Sequence, residues 1–219
     1  MKLWLDTANL DDIREINEWG VLSGITTNPS LAAKEKMDFE TLIKEIATEV
    51  DGPVNAEVVS TEKDGMIEEG RKLSQIAPNV TVKCPSTPAG FAAIAELSRE
   101  GIKTNVTLCF SPNQAILAAE AGANYISPFL GRVDDIGNDG MNLLAEIVEI
   151  YRVQNYRTLV LAASLRHPQH VVDVAKVGAD VATMPYSVFK GLVKHPLTDI
   201  GLKRFLEDWD EYQRVLDRK

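Results

Sequence analysis

Apolar residues along this chain fall in short contiguous runs, and between the runs their spacing changes to every third or fourth position. Lys2 to Leu5 is the first run, closed by Asp6-Thr7-Ala8-Asn9, after which Leu10, Ile13, Ile16 and Trp19 lie on one helical face. A strand followed by a helix is predicted. Val21 to Thr26 reads as a second strand, and Asn28-Pro29-Ser30 then marks a turn and a helix start. Val54 to Val59 is a third, followed by a helix from about Thr61 to Ile76. Val80 to Lys83 is a fourth, stopped at Pro85, with a helix opening near Thr87-Pro88 and running to Arg99. Lys103 to Cys109 makes a fifth, and Ser111-Pro112 caps the helix that runs through Ala119. Tyr125 to Phe129 is a sixth, followed by a glycine-bearing loop from Gly131 to Gly140 and a helix to about Val153. Thr158 to Ala163, with a helix from Pro168, and Asp180 to Met184, with a short helix after Pro185, complete the series.

Strands alternating with helices imply parallel pairing through helical crossovers, closed either as a doubly wound open sheet or as a (β/α)8 barrel. Eight units favour the barrel. No dinucleotide-binding glycine fingerprint or Walker lysine loop follows a strand, which weakens the open sheet. The expectation is an α/β protein with a single (β/α)8 TIM-barrel domain over residues 1–219. A last segment, Asp199 to Arg218, carries Leu202, Phe205, Leu206, Trp209, Tyr212 and Leu216 at helical spacing. This appended amphipathic helix must pack across the barrel's end or on another subunit.

Composition narrows the partners. The 219 residues are 45% hydrophobic and 25% charged, which suits one domain with a sizeable core. A formal charge of −9 argues against nucleic acid and against an anionic membrane surface, since both would repel the chain. The N-terminal residues reach acid at Asp6 and no apolar run approaches bilayer length, so export is not expected and a cytoplasmic location is. Cys84 and Cys109 lie in apolar contexts, where reduced thiols pack as small hydrophobes. His167 and His170 flank Pro168 and lack a third ligand, so they read as a helix start, and no metal is assigned.

Enzymes with this barrel take their site residues from strand ends and the loops that follow. Thr81-Val82-Lys83-Cys84-Pro85 is the most informative such place, because a lysine ending an apolar strand is either blunting a sheet edge or kept short of water as a nucleophilic amine. The other strand ends supply Asp6, Thr26-Thr27-Asn28, Glu57, Asn105 with Thr107, Ser127 with Phe129 and Arg132, and Ser164 with Arg166. A lysine can make an imine with a ketone, a carboxylate can move the protons that imine chemistry needs, and arginines with a serine can hold phosphate. Taken singly, each has a plainer use: Asp6 as a helix N-cap, Asn28 as a turn residue, Arg132 paired with Asp134 or Asp135, Arg166 on the surface. Glu57 is harder to dismiss, because a carboxylate in a buried strand needs a partner. Together the set points to carbonyl chemistry on a phosphorylated sugar.

The motifs Leu5-Asp6-Thr7-Ala8, Gly24-Ile25-Thr26-Thr27-Asn28-Pro29-Ser30-Leu31, Thr81-Val82-Lys83-Cys84-Pro85, Thr104 to Ser111, Ile126 to Arg132, Ala162 to His167 and His195 to Gly201 resemble those of the small-subunit transaldolases, in family order over essentially the whole chain. That group also contains fructose-6-phosphate aldolases. The resemblance implies a class I mechanism with no metal or cofactor, in which Lys83 forms a Schiff base with a ketose phosphate and Asp6 takes the C4 hydroxyl proton as the C3–C4 bond breaks. Glu57, through a water near Thr107, would shuttle protons during formation and hydrolysis of the imine. Thr27, Asn28, Asn105, Ser127 and Phe129 would surround the three-carbon fragment, and Arg132, Ser164 and Arg166 the phosphate. Donors would be sedoheptulose 7-phosphate or fructose 6-phosphate, acceptors glyceraldehyde 3-phosphate or erythrose 4-phosphate, as in the pentose phosphate pathway. A homo-oligomer, commonly a ring-built decamer with the C-terminal helix on a neighbour, is also implied.

Two positions separate transfer from release. In the aldolases of the group a glutamine aligns with Glu57, and a tyrosine able to protonate the enamine aligns with Phe129. Phe129 has no proton to give, so transfer is expected over release of free dihydroxyacetone; a silent sugar-phosphate-binding barrel is disfavoured by the retained lysine and carboxylates. Cys84-Pro85-Ser86 departs from the family's more usual aliphatic residue, and a thiol beside the nucleophile predicts sensitivity to oxidation.

Overall fold

A computed structural model describes residues 1–216. Eight parallel strands close into a barrel in chain order: β1 (Lys2–Asp6), β2 (Leu22–Thr26), β3 (Val54–Glu57), β4 (Val80–Pro85), β5 (Thr104–Cys109), β6 (Tyr125–Pro128), β7 (Leu159–Ala162) and β8 (Val181–Met184), with β8 pairing back onto β1. The expected TIM barrel is therefore observed. Its outer layer comprises α1 (Leu10–Asn17), α2 (Pro29–Ala32), α3 (Phe39–Glu49), α4 (Lys63–Ser74), α5 (Pro88–Arg99), α6 (Pro112–Glu120), α7 (Leu130–Asp135), α8 (Gly140–Gln154), α9 (Pro168–Val177) and α10 (Tyr186–Gly191), and α11 (Pro196–Leu216) follows.

Strand alternation divides the core in two. Val54 and Ala56, Val80, Val82 and Cys84, Val106 and Ile126 are buried in the layer shared with the helices, beside Ile13, Ile43, Ile94 and Ile147. The intervening residues enter the barrel. On the β6–β8 and β1 side they are mostly apolar, with Trp4, Leu161, Ala163 and Val181 packed against Tyr125 and Phe129 and the Trp4 and Tyr125 ring centroids 5.3 Å apart, although Asp6, Ser127 and Thr183 also turn inward there. On the β2–β5 side they are polar, with Thr26, Asn55, Thr81, Lys83, Asn105 and Thr107 all buried. Period-two alternation thus gives a mainly apolar outer face and a half-polar lumen.

Where each strand hands over to its helix is set by caps. Asn28, Thr87, Ser111 and His167 each precede a proline at the first helical position, and each side chain accepts a hydrogen bond from the backbone N–H three residues on. The plainer reading of Asp6 fails here, because the cap of α1 is Asn9, which accepts from Asp12 N at 3.0 Å. His167 and His170 do mark a helix start, with His167 Nδ1 accepting from His170 N.

Several boundaries differ from the sequence expectations. The strand β4 continues two residues past Lys83 to Pro85, since Ser86 N donates to Thr107 O and the proline nitrogen points to the β3 side, where β3 has already ended at Glu57. Val59, expected in β3, is 70% exposed beyond it. Phe39–Glu49 forms a helix that the sequence reading left unassigned, although Asp38 caps it and Leu42, Ile43 and Ile46 are buried along it. The glycine-bearing loop contains the helix α7, because its glycines serve close approach and not flexibility: a Cβ on Gly131 would sit 2.3 Å from Ser164 O, and one on Gly140 2.5 Å from Leu130 O. The last helix starts at Pro196 and is described to Leu216; its expected end, Arg218, lies outside the described residues. It does not cross the barrel's end. None of its described residues is buried, and Phe205 and Trp209 are 72% and 58% exposed.

The lumen floor yields a stability prediction. A Cβ at Gly24 would lie 2.6 Å from the Trp4 indole and 2.9 Å from Pro53 O. Gly24→Ala should destabilise the protein by about 1–3 kcal/mol through overpacking, lowering the melting midpoint by roughly 2–4 °C per kcal/mol. Calorimetry showing an unchanged midpoint contradicts this packing.

Candidate active site

Register brings the strand-end residues together. Glu57 pairs across the ladder with Lys83, Lys83 with Asn105, and Asp6 with Thr26. Because strands in a ladder lie about 4.8 Å apart, same-face neighbours at paired positions come within hydrogen-bonding reach. Lys83 Nζ lies 2.9 Å from Glu57 Oε2 and donates to Thr27 O at 2.7 Å, with only 6% of the lysine side chain exposed. The buried amine therefore has a carboxylate and a carbonyl as partners, in place of the bare apolar surroundings considered from sequence. Its proton has an acceptor at contact distance.

Lys83 stands at the foot of a cleft of about 290 Å³, near the lower end of the roughly 300–1,000 Å³ of small-molecule sites. Of the residues expected at the site, Asp6, Asn28, Lys83, Thr107, Ser127, Phe129, Arg132, Ser164 and Arg166 line it. Asp6 Oδ1 accepts from Thr26 Oγ1 at 2.7 Å, and that hydroxyl also lies 2.7 Å from Thr183 Oγ1. Burial pushes the Asp6 carboxyl above the ordinary carboxylate range, against the opposing pull of the Lys83 charge and of the Thr26 hydrogen bond. A recessed carboxylate of raised basicity faces the lysine, an arrangement suited to accepting and returning a proton. Thr107 Oγ1 is buried without a hydrogen-bond partner among the described residues.

The far side of the cleft is cationic. Arg132 lies over the Phe129 ring, 5.1 Å from its centroid. Among the described residues it makes no ion pair, whereas Arg166 Nη2 binds Asp135 Oδ2 at 2.6 Å. The Arg166 backbone N–H donates to His170 Nδ1, and the arginine side chain crosses Gly131 so closely that a Cβ there would meet its Nε at 2.4 Å. Two non-glycine residues near the cleft adopt left-handed backbone, Leu108 at φ 56°, directly after the lining residue Thr107, and Ser164 at φ 61° in the wall itself. Such positions cost about 1–2 kcal/mol each and persist where surrounding structure holds them. Gly131 N donates to Ser164 O and Leu130 N to Ala163 O, which fixes the second of them.

Three expected residues are not in the wall. Glu57 lies behind Lys83 and borders a neighbouring groove with Phe39, Val59 and Leu73. Thr27 is fully buried and contributes its carbonyl to Lys83, while Thr26, one residue earlier, faces the cleft. Asn105 lies beneath Ser127, whose Oγ donates to Asn105 Oδ1 at 3.0 Å. Sequence reasoning passed over Thr183, which occupies the β8 position equivalent to the other strand ends, and Asn55, a buried amide in mid-strand hydrogen-bonded to Asn105. Cys84 points away from the cleft into the helix-facing core, and burial, aided by the Glu57 charge, pushes its thiol up to about 12. The thiolate through which oxidation proceeds is thereby suppressed, and the expected sensitivity does not follow from its placement.

The chain is thus a TIM barrel with a buried lysine near the end of β4 and carboxylates from β1 and β3 beside its main cleft. Residues 3–216 match the family described as transaldolase/fructose-6-phosphate aldolase, and the chain belongs to that family. It is 59% identical over 215 residues to a probable transaldolase of Roseiflexus castenholzii, covering 98% of this chain and 99% of that protein. Probable transaldolases of Heliobacterium modesticaldum and Petrotoga mobilis are 56% and 54% identical, covering 96% and 100% of this chain and 98% and 99% of theirs. A thiamine phosphate pyrophosphorylase from Pyrococcus furiosus shares the fold, with a TM-score of 0.58 at 18% identity over 87% of this chain and 93% of that one.

The raised Asp6 carboxyl makes a prediction about stability. A carboxyl whose folded pKa is raised supplies stability that is complete below its unfolded pKa and is lost as pH rises through the folded value. Asp6→Asn, which does not titrate, should therefore melt higher than the parent at pH 7, and the gap should close as pH falls toward 3.8, the ordinary aspartate value. A gap that is absent at pH 7, or constant down to pH 3.8, contradicts the burial of this charge.

Proposed function

We propose that the enzyme transfers a three-carbon dihydroxyacetone unit from a ketose phosphate, fructose 6-phosphate or sedoheptulose 7-phosphate, to erythrose 4-phosphate or glyceraldehyde 3-phosphate through a Schiff base on Lys83. The observation that carries this reading is the 2.9 Å contact of Lys83 with Glu57 at the foot of a cleft walled by Asp6 and two arginines. The names of the relatives support it.

Lys83 passes a proton to Glu57 and its free amine attacks the C2 carbonyl, giving a carbinolamine. Glu57, with Thr107 nearby, returns a proton to the departing hydroxyl, so that water leaves and the iminium forms. Asp6 then takes the C4 hydroxyl proton, the C3–C4 bond breaks, and its electron pair moves into the C2–C3 bond while the iminium π pair passes to nitrogen. An aldose phosphate departs and an enamine remains on Lys83. The enamine carbon adds to the aldehyde of the second aldose phosphate, and Asp6 gives the new alkoxide its proton. Water then cleaves the iminium. Arg132, Ser164 and Arg166 hold the phosphate of donor and acceptor alike by charge-assisted hydrogen bonds, which keeps the reacting carbon over Lys83. Phe129, packed edge-to-face on Phe110, offers the enamine no proton, so the enamine waits for an acceptor.

In a coupled assay, glyceraldehyde 3-phosphate should form rapidly from fructose 6-phosphate only when erythrose 4-phosphate is present. Equally rapid release of dihydroxyacetone from fructose 6-phosphate alone would assign the aldolase reaction instead. Under the transfer reading, Lys83→Ala abolishes turnover.

The exposed face of α11 supports assembly. Leu202, Phe205, Leu206, Trp209 and Tyr212 are all more than half exposed along one helix, a large apolar area for a chain to leave uncovered. We propose that it docks on a second copy of the chain in a cytoplasmic homo-oligomer. Light scattering should give a multiple of the chain mass, and Phe205→Asp with Trp209→Asp should reduce it; a monomeric parent overturns this assignment.

A further inference from the structure

A line of three buried side chains runs under the cleft and is not used by the steps above. Asn55 Nδ2 donates to Ile25 O at 3.4 Å, Asn55 Oδ1 accepts from Asn105 Nδ2 at 2.7 Å, and Asn105 Oδ1 accepts from Ser127 Oγ at 3.0 Å. Asn55 and Asn105 are fully buried and Ser127 is 2% exposed, yet Ser127 reaches the cleft wall. The direction of the line is not free. The Ile25 carbonyl only accepts, so Asn55 must turn its amide nitrogen toward it and its oxygen toward Asn105. Asn105 must then present its nitrogen to Asn55 and its oxygen to Ser127. Reversing any one link would set two oxygens or two N–H groups against each other in a buried place, where an unmet polar group is costly.

The consequence falls on Ser127. Its one hydroxyl proton is committed to Asn105, so toward the cleft it offers lone pairs only. We infer that Asn55 is a positioning residue that fixes Ser127 as a hydrogen-bond acceptor, and that the site thereby selects a three-carbon unit carrying a donor hydroxyl beside the ketone. This rests on the proposed transfer reaction for its substrate class. Asn55 touches no substrate; it acts through Asn105 and Ser127. Register explains how the mid-strand residue joins the set, since Asn55 pairs with Thr26 on one side and Thr81 on the other, one inward step below Glu57.

The test compares kcat/KM for fructose 6-phosphate with that for its 1-deoxy and 3-deoxy analogues, each lacking one of the hydroxyls that flank the ketone carbon. The parent should reject at least one analogue, and Asn55→Leu, close in size but without polar atoms, should shrink that rejection about tenfold or more, because Asn105 is released to turn and Ser127 can then donate. Asn55→Asp, as a protonated carboxyl whose O–H donates to Ile25 O while its other oxygen accepts from Asn105, should keep most of the parent's discrimination. Comparing ratios between variants cancels the intrinsic reactivity of each analogue. If Asn55→Leu does not fold, Asn55→Ala, too short to reach Asn105, is read in the same way. Unchanged discrimination in the Leu or Ala variant overturns the inference and leaves Asn55 a packing residue. A parent without transfer activity on fructose 6-phosphate overturns the functional reading itself, a separate outcome.

Discussion

The ion pair between Lys83 and Glu57 is the constraint around which the barrel's mouth is organised. Two charges withdrawn from water cost several kcal/mol apiece before their attraction is counted, and either alone would be worse. Parallel register makes the pair possible by holding the two residues at matched positions on adjacent strands, and the Thr27 carbonyl supplies a further acceptor. The arrangement is better explained by chemistry than by stability. Hydrophobic residues of similar size would pack at least as well, but they could not exchange a proton at 2.9 Å.

The same alternation that buries Val82 and Cys84 against the helices turns Thr81 and Lys83 into the lumen, so the outer core and the site arise from one strand pattern. Polar lumen residues are most numerous on β2–β5, joined by Asp6, Ser127 and Thr183 from the strands beyond, and the bulky Trp4, Tyr125 and Leu161 fill much of the remainder. The apolar half supports the polar half by excluding water beneath it. In that setting the burial of Asp6 raises its basicity, while the Lys83 charge and the Thr26 hydroxyl limit the rise. Asp6 lines the cleft while Glu57 lies behind the amine, so the two carboxylates stand in different environments.

The fold and most of the cleft were legible in the sequence, because short apolar runs and cap-proline pairs fix both the strands and the places where they end. What was not legible depended on parity or on tertiary approach. Thr26 and Thr27 differ by one step, and one step reverses the face; only the pairing of Asp6 with Thr26 decides between them. Asn55 does not stand at a strand end, yet an asparagine between Val54 and Ala56 in a buried strand is itself a signal of a satisfied polar network. Gly131 and Gly140 read as the ends of a loop and are points of close contact, a distinction set by backbone that arrives from elsewhere in the chain. Asp135 pairs with Arg166 and not with the nearer Arg132 for a similar reason, since Arg166 is brought in from the loop after β7.

The central claim is that the Lys83 amine becomes covalently attached to the ketose. Borohydride reduction in the presence of fructose 6-phosphate, followed by intact mass and peptide mapping, tests it most directly. The account predicts one adduct per chain, located on Lys83 and absent when Lys83 is replaced by alanine. Label on another lysine, or no adduct in an enzyme that turns over, would contradict it.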